Sequence, residues 1–469
     1  MKRYISLLAA VIMGFTAEAQ MRTSYFMEGS TFRTDMNPAL APTRGYIMFP
    51  TIGGIGVGVN NNFLSLNNFL YPTENGTVLF LNKAVDRNKF LDKLPANNII
   101  DLDTSVQLVG FGAHTKKFFW NAGMNLRATA DVNIPKEFFS LLTTLEQGNY
   151  DMTDMHVGLN TYLETYIGAA IPIKDFMTIG FRVKGLIGIA QANANIDRMN
   201  VTVNDERVTA ELSGTLRANS ILKSNTYMHG TEFDFSNLTF DGLSDINMKN
   251  FGLGVDIGAE ARFIDDHLRV SAALTDLGFI SWNKAGTANG SMTGNFSYEG
   301  FDIDSGDAIS ASDFKMQAEE STGSYMKRLN MSLNFGAEYA ILRNRISFGV
   351  LSHTKFADGI NYTELTASVN FRPLNWLSAS VSHTFLNHNE FGVFGFALNI
   401  HPTGFNLFLG ADFIGLKAGK LTVANQNIPV PVAMKSANVY FGLGFSLGRA
   451  KYSKAYKDDV AAGRIKAKK

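Results

Sequence analysis

The sequence predicts an all-β fold: a transmembrane antiparallel β-barrel of about fourteen strands, with an N-terminal segment plugging the lumen and long extracellular loops. Three observations predict it. Segments of about ten residues alternate apolar and polar side chains with period two, enough to cross a bilayer at a tilt. Short and long connections alternate along the chain. The composition is poor in charge, with 18% charged residues, and rich in Gly (43 of 469) and Phe (37). A mean hydropathy of -0.01 is what a lipid-facing coat averaged with a polar lumen produces. The formal net charge of +0 gives no electrostatic reason for nucleic acid as a partner.

The N-terminus carries Lys2 and Arg3, an apolar run from Ile5 to Phe15, and Ala17-Glu18-Ala19. This pattern reads as a signal peptide over 1–19, cleaved between Ala19 and Gln20. The run is too short for a spanning helix of about twenty residues. There is no Cys, which excludes a lipid-modified N-terminal cysteine and any disulfide framework. The next segment, 20–44, holds all but the last residue of FRTDMNPALAPTRG (Phe32 to Gly45). Pro38 and Pro42 cannot donate ladder hydrogen bonds, and they bias Asn37 and Ala41 toward extended geometry. The segment therefore resists joining the wall. Its expected place is inside the barrel, packed on inward glycines and polar groups, with Asn37, Pro38, Ala39 and Pro42 as the plug residues.

The barrel is expected over 45–449. From Phe118 to Val132 the even positions are apolar, with Asn121, Asn125, Arg127 and Thr129 between them; from Phe251 to Phe263 the odd positions are apolar. Leu329 to Tyr339, Leu377 to Phe385, Gly392 to Ile400 and Val439 to Leu447 follow the same rule. Tight links are read at HTKK (His114 to Lys117), PIKD (Pro172 to Asp175), IDDH (Ile264 to His267), LRNR (Leu342 to Arg345), RPLN (Arg372 to Asn375) and HPTG (His401 to Gly404). Long links are read at Asn60 to Thr104, Asn133 to Thr153, Ala192 to Asn247, Trp282 to Lys327 and Ile414 to Ser436. With the short side periplasmic and the VNDERV hairpin (Val203 to Val208) treated as an outer-loop elaboration, the count is about fourteen; as two wall strands it would make about sixteen. PKEFFSLLTTLEQG (Pro135 to Gly148) reads as a helix inside an outer loop, with Pro at its first position and Gly at its end. Residues 450–469 form a basic tail, expected to extend into the periplasm.

If apolar parity faces lipid, then Arg127, Glu164, Arg182, Lys184, Asp256, Glu260, Arg262, Arg269, Glu338 and Arg345 face the lumen. Mixed signs on neighbouring strands predict a charge network that stiffens the wall or pins the plug, because unpaired charges there would be costly. Phe63, Leu64, Leu66, Phe69 and Leu70 in the first outer loop are candidates for an apolar portal. GFSLG (Gly444 to Gly448) matches G-x-S-x-G but lies in an alternating strand with no helix after it, so it is read as wall glycine. The histidines at 353, 383, 388 and 401 show no ligand spacing and are read as turn or rim residues. The acidic loop Glu299 to Phe314 lacks the EF-hand register and is read as solvated surface. No catalytic residue, metal or cofactor is assigned.

The signal peptide, the short Asn37-Pro38-Ala39 element, a Gly-rich first strand (GGIGVG, Gly53 to Gly58) and about fourteen strands resemble the outer-membrane long-chain fatty-acid transporter superfamily. They also resemble its relatives, the attachment or shuttle barrels of type IX secretion and a large group of uncharacterised barrels, to which LTDLGFISW (Leu274 to Trp282) is also similar. The resemblance implies residence in the bacterial outer membrane, with its lipid as surroundings, and an N-terminal hatch. It implies transport of a hydrophobic or small amphipathic solute; the alternative is a non-transporting scaffold for a secreted or periplasmic protein. The inward set deduced above is polar, a departure from the apolar interior of the transporters.

Overall fold

The computed structural model describes residues 21–448, apart from 64, 74–75, 145, 205–206, 221–227, 230–231, 234–248, 285–286, 300–322, 343, 358–359, 387–392, 415–417, 424–425 and 432–436. The expected signal peptide, the basic tail, Leu64, His388 and the acidic loop beyond Glu299 lie outside the described residues.

Fourteen antiparallel strands close into a barrel. They are β1 (Gly45–Met48, continued by Ile55–Asn61), β2 (Asn97–His114), β3 (Phe119–Pro135), β4 (Met155–Lys174), β5 (Met177–Val203), β6 (Phe251–Phe263), β7 (Leu268–Trp282), β8 (Tyr325–Arg328, continued by Met331–Ile341), β9 (Ile346–Ala357), β10 (Ile360–Leu374), β11 (Leu377–Leu386), β12 (Val393–Ile400), β13 (Asn406–Ile414) and β14 (Ala437–Leu447). Each wall strand pairs with its chain neighbour, and β14 closes on β1 through Gly45↔Leu447 and Ile55↔Phe441. Between its two halves β1 bulges at 49–54, yet the bulge stays bonded on both sides: Phe49 N donates to Leu443 O (3.0 Å) and Gln107 N to Gly54 O (2.6 Å). The wall is continuous there.

The expected parity is visible in burial. On β6 the odd residues are exposed to the bilayer, Leu253 at 49% and Ile257 at 51%, while Asp256 is fully buried. Because Ile257 sits mid-strand on the lipid face, Ile257→Arg should cost about 2–4 kcal/mol, falling to about 0–1 at Ile264 in the turn. Equilibrium unfolding in phospholipid vesicles checks this gradient.

Several strands outrun the membrane. β5 has 27 residues, about 90 Å at ~3.3 Å each, where about ten residues cross a bilayer. Its first part, Met177 to Ile187, pairs with β6 in the wall. The remainder pairs with the strand Arg207–Ser220 through a hairpin at Val203↔Val208. That strand pairs in turn with Thr287–Glu299 from the next long loop. The hairpin is thus an outer elaboration, and the extension stands at the rim opposite Gly45 and Leu447, where the wall begins and finishes. Nearby, Phe63, Phe69, Phe90, Leu94 and Phe139 close an aromatic core against the helix Lys136–Thr144.

Three expectations need correcting. β2 begins at Asn97, inside a stretch expected to be loop: Ile100 and Leu102 alternate with Asp101 and Asp103, so the ladder with β3 runs on to Asn97↔Pro135. Arg345 lies in the exposed turn between β8 and β9, outside the lumen. His353 is buried on β9, where Nδ1 bonds Asn334 Oδ1 at 2.7 Å, so it is neither a turn nor a rim residue.

Candidate functional site: a plugged lumen

Residues 21–44 lie inside the barrel, shaped by the turn Arg22–Ser24 and the helical turn Arg33–Met36. The chain then turns at Asn37. Its Oδ1 accepts from Ala39 N (2.9 Å), a local side-chain turn of the kind Asn favours, and its Nδ2 donates to Tyr25 OH at 3.2 Å. The same amide points at the wall carbonyls Ala259 O and Ala272 O, both 3.4 Å away. Asn37 is fully buried.

What lets the plug come so close is the absence of side chains beneath it. A Cβ at Gly180 would lie 2.1 Å from Ala39 N, and one at Gly258 would lie 2.1 Å from Asn37 Oδ1. Glycine at 180 lets the plug backbone lie on the wall, and glycine at 258 leaves room for the Asn37 side-chain amide. Asn37, Pro38 and Ala39 therefore sit on a bare ledge of β5 and β6. The substitution Gly258→Leu should displace the plug without unfolding the wall. The expected result is a heat-modifiable, assembled barrel whose segment 21–44 becomes cleavable by added protease; persisting protection would contradict the seat.

Around this seat, ion pairs tie the plug to several strands. Arg22 pairs with Glu364 on β10, and its backbone N–H donates to Asp412 on β13 at 3.1 Å. Glu28 pairs with Arg269 on β7 and accepts from Asn344 at 3.0 Å. Asp35 meets Arg182 on β5 at 2.7 Å, while Arg182 stacks on the Tyr166 ring with its Cζ 4.3 Å from the centroid. Arg372 donates to Phe26 O at 2.6 Å, and Asn334 donates to Met36 O at 2.9 Å. Near the end of the segment, Pro42 O lies 2.7 Å from His114 Nε2. His401, in the turn after β12, is buried beside Arg44, and burial first, then that cation, hold its pKa down at about 4. It stays neutral across the physiological range.

The wall carries its own networks. Lys184 is a hub, 2.6 Å from Asp276, 2.8 Å from Asp256 and 3.6 Å from Glu164. Arg127 joins it, 3.3 Å from Glu164 and 3.9 Å from Asp276. At the other side, Glu338 pairs with Arg372 and lies 3.6 Å from Arg269. Glu260 pairs with Arg262 at 2.6 Å; Arg262 is half-exposed, near the periplasmic turn. The structure therefore brings Arg127, Glu164, Arg182, Lys184 and Asp256 together, sets Arg269 and Glu338 in a second group, and leaves Glu260 with Arg262 at the edge. A further hub, absent from the sequence-derived set, joins Lys355 to Asp101 (2.8 Å) and Asp103 (3.2 Å).

Phe63 and Phe69 are buried in the aromatic core under the outer loops, so they line no open portal among the described residues. Leu66 lies in the helical turn Leu66–Phe69, and Leu70 begins the strand Leu70–Thr73 of a small hairpin. Beside the plug a cavity of about 40 Å³ remains, lined in part by Met21, Phe32, Asp35, Gln107, Arg127 and Asp276.

The family model that matches spans residues 38–412 and is described as a family of unknown function, DUF5723. The chain belongs to that family. The DUF5723 match opens at Pro38, on the glycine ledge, and runs to Asp412, which holds the plug's Arg22. No curated protein matches the sequence. Among solved structures the chain is similar to a TodX ΔS2S3 mutant monoaromatic hydrocarbon channel, at 9% identity and a TM-score of 0.42, over 89% of this chain and 95% of that one. It is similar to a Pseudomonas aeruginosa FadL homologue at 9% identity and a TM-score of 0.40, over 90% and 95%. It is also similar to the Pseudomonas putida toluene transporter TodX at 8% and 0.37, over 92% and 95%. The DUF5723 chain is a closed fourteen-stranded antiparallel β-barrel with a filled lumen.

Proposed function

We propose that this outer-membrane barrel works closed, as a platform: the plug is a permanent stopper, and the extracellular β-extension presents a surface to an exported or surface protein. The observation that carries this is the lumen's occupancy. The cavity beside the plug, about 40 Å³, has room for only a few waters at about 10–15 Å³ of such volume each, and is far below the ≈ 300–1,000 Å³ of small-ligand pockets. Its lining mixes Met21, Phe32 and Met36 with the charged Asp35, Arg127 and Asp276 and with amides, which is no continuous apolar path for a hydrophobic solute. Purification from native outer membranes tests the reading. A stoichiometric protein partner without a lumenal small molecule is expected; a stoichiometric hydrophobic solute and no protein would overturn it.

One observation favours a second reading, a hatch that moves to pass a hydrophobic or small amphipathic solute. Much of the plug's attachment is polar, and polar contacts can be exchanged for water at little net cost, about 0.5–1.5 kcal/mol per hydrogen bond. In that case the plug would be an openable gate. The attachment barrels of type IX secretion are one form the platform reading could take.

A further inference from the structure

We infer that a cleft in the extracellular extension binds an acidic saccharide. The cleft lies between the outer part of β5, the strand Arg207–Ser220 paired with it, the strand Thr287–Glu299 beyond that and the start of β8, with a volume of about 360 Å³, within the ≈ 300–1,000 Å³ of small-ligand pockets. It is independent of whether the plug moves.

The register puts one kind of chemistry on one face. Gln191, Asn193 and Asn195 follow one another at two-residue spacing on β5, so they share a face. Arg217 stands opposite both Asn193 and Asn289, and Thr215 opposite Asn195. All of these line the cleft, and no carboxylate is among its described lining residues. The intervening positions Ala192, Ala194 and Ala218 take the other face, while Leu216, between Thr215 and Arg217, also lines the cleft.

Two of these amides are incomplete. Gln191 is only 2% exposed; its Oε1 accepts from Tyr325 OH, yet its Nε2 has no partner. Asn193 Oδ1 is likewise buried without a donor. Buried polar atoms without partners are rare and call for a ligand or water. A donor and an acceptor beside one another suit hydroxyl groups, which do both. Arg217 supplies the charge: Nε donates to Asn289 Oδ1 at 2.9 Å, and its Cζ lies 4.6 Å from the Tyr325 ring centroid. Tyr325 in turn stacks on Trp282, with centroids 6.5 Å apart. With that ring already covered, the cleft offers no free aromatic face for a nucleobase. Lys327, on the same face of β8 as Tyr325, adds a second cation. The ligand that fits carries hydroxyls together with a carboxylate or phosphate. Both lipopolysaccharide core sugars of the outer leaflet and soluble polysaccharide have that chemistry.

The test is titration of the full-length barrel in detergent with trigalacturonic acid, with maltotriose, and with delipidated core oligosaccharide from the host's own lipopolysaccharide. At least one acidic probe should bind tenfold or more tightly than maltotriose. Arg217→Gln should weaken it about tenfold, and Gln191→Leu should weaken it comparably, while Lys174→Gln at the opposite end changes nothing. Asn289→Leu substitutes for Arg217→Gln if that variant fails to assemble. Tighter binding of the core oligosaccharide assigns the site to lipopolysaccharide, and tighter binding of trigalacturonate to soluble polysaccharide. Equal binding of maltotriose, no binding of either acidic probe, or binding untouched by the cleft substitutions would overturn the inference. None of these outcomes depends on a protein partner being found.

Discussion

Deleting residues 21–43 should leave a barrel that assembles, closes and leaks. The wall ladder is complete without the plug, since every neighbouring strand pair and the β14–β1 closure are formed by wall residues alone. What the deletion removes is the filling: the buried ring of Tyr25, the Asn37 turn on its glycine ledge, and the counter-charges Arg22, Glu28 and Asp35. Water then enters a lumen whose remaining groups are polar and can be hydrated. Liposomes holding a small hydrophilic dye should release it through the deletion variant and retain it with the intact protein. Retention by both would mean that the wall residues close the pore themselves.

The second large effect is expected at the Lys184 hub. Lys184 is fully buried between Asp256, Asp276 and Glu164, so Lys184→Met strands carboxylates where water does not reach them. Removing one partner from a buried ionic group costs about 3–5 kcal/mol. The loss should appear as a lowered urea midpoint in lipid vesicles. Adding Asp256→Asn should recover part of it, because the two sites are in contact and their effects are not additive. By contrast, Lys174→Met in the exposed periplasmic turn should stay within about 0–1 kcal/mol. Equal losses at both lysines would show that the hub contributes nothing beyond surface charge.

The architecture was legible because the membrane imposes a two-residue period on it. Phe118 to Val132 and Phe251 to Phe263 could be assigned face by face, and their inward charges followed from parity alone. Parity fails where the backbone departs from the pleat. In β7, Thr275 and Asp276 are both buried although adjacent, because Asp276 adopts a φ of 60° and the register with β6 shifts there. That bulge reverses the inward face and brings Asp276 to Lys184, which strict alternation could not foresee. Asp101 and Asp103 carry a usable signal, alternating with Ile100 and Leu102, but they fall within the long link Asn60 to Thr104. Arg372 was hidden for a different reason: it sits where a turn was expected, yet its guanidinium reaches back to Glu338.

The plug's partners were illegible in another sense. Arg22 and Asp412 are 390 positions apart, and Glu28 and Arg269 are 241 apart; no local pattern couples them. The two prolines indicated only that the segment avoids the wall. The glycines at 180 and 258 looked like ordinary wall glycines, and their role as a ledge becomes visible only once Ala39 and Asn37 lie on them.

Whether the stopper ever moves can be decided by locking it. Thr23 Oγ1 and Ser382 Oγ are 2.5 Å apart, close to the ≈ 2.05 Å of a sulfur–sulfur bond, and the native chain has no Cys. A Thr23→Cys, Ser382→Cys pair should therefore join plug to wall through a single disulfide. In planar bilayers the platform account predicts that the native and locked barrels are equally silent, with and without reductant. Openings in the native protein that the disulfide abolishes and reductant restores would contradict it and establish a gate.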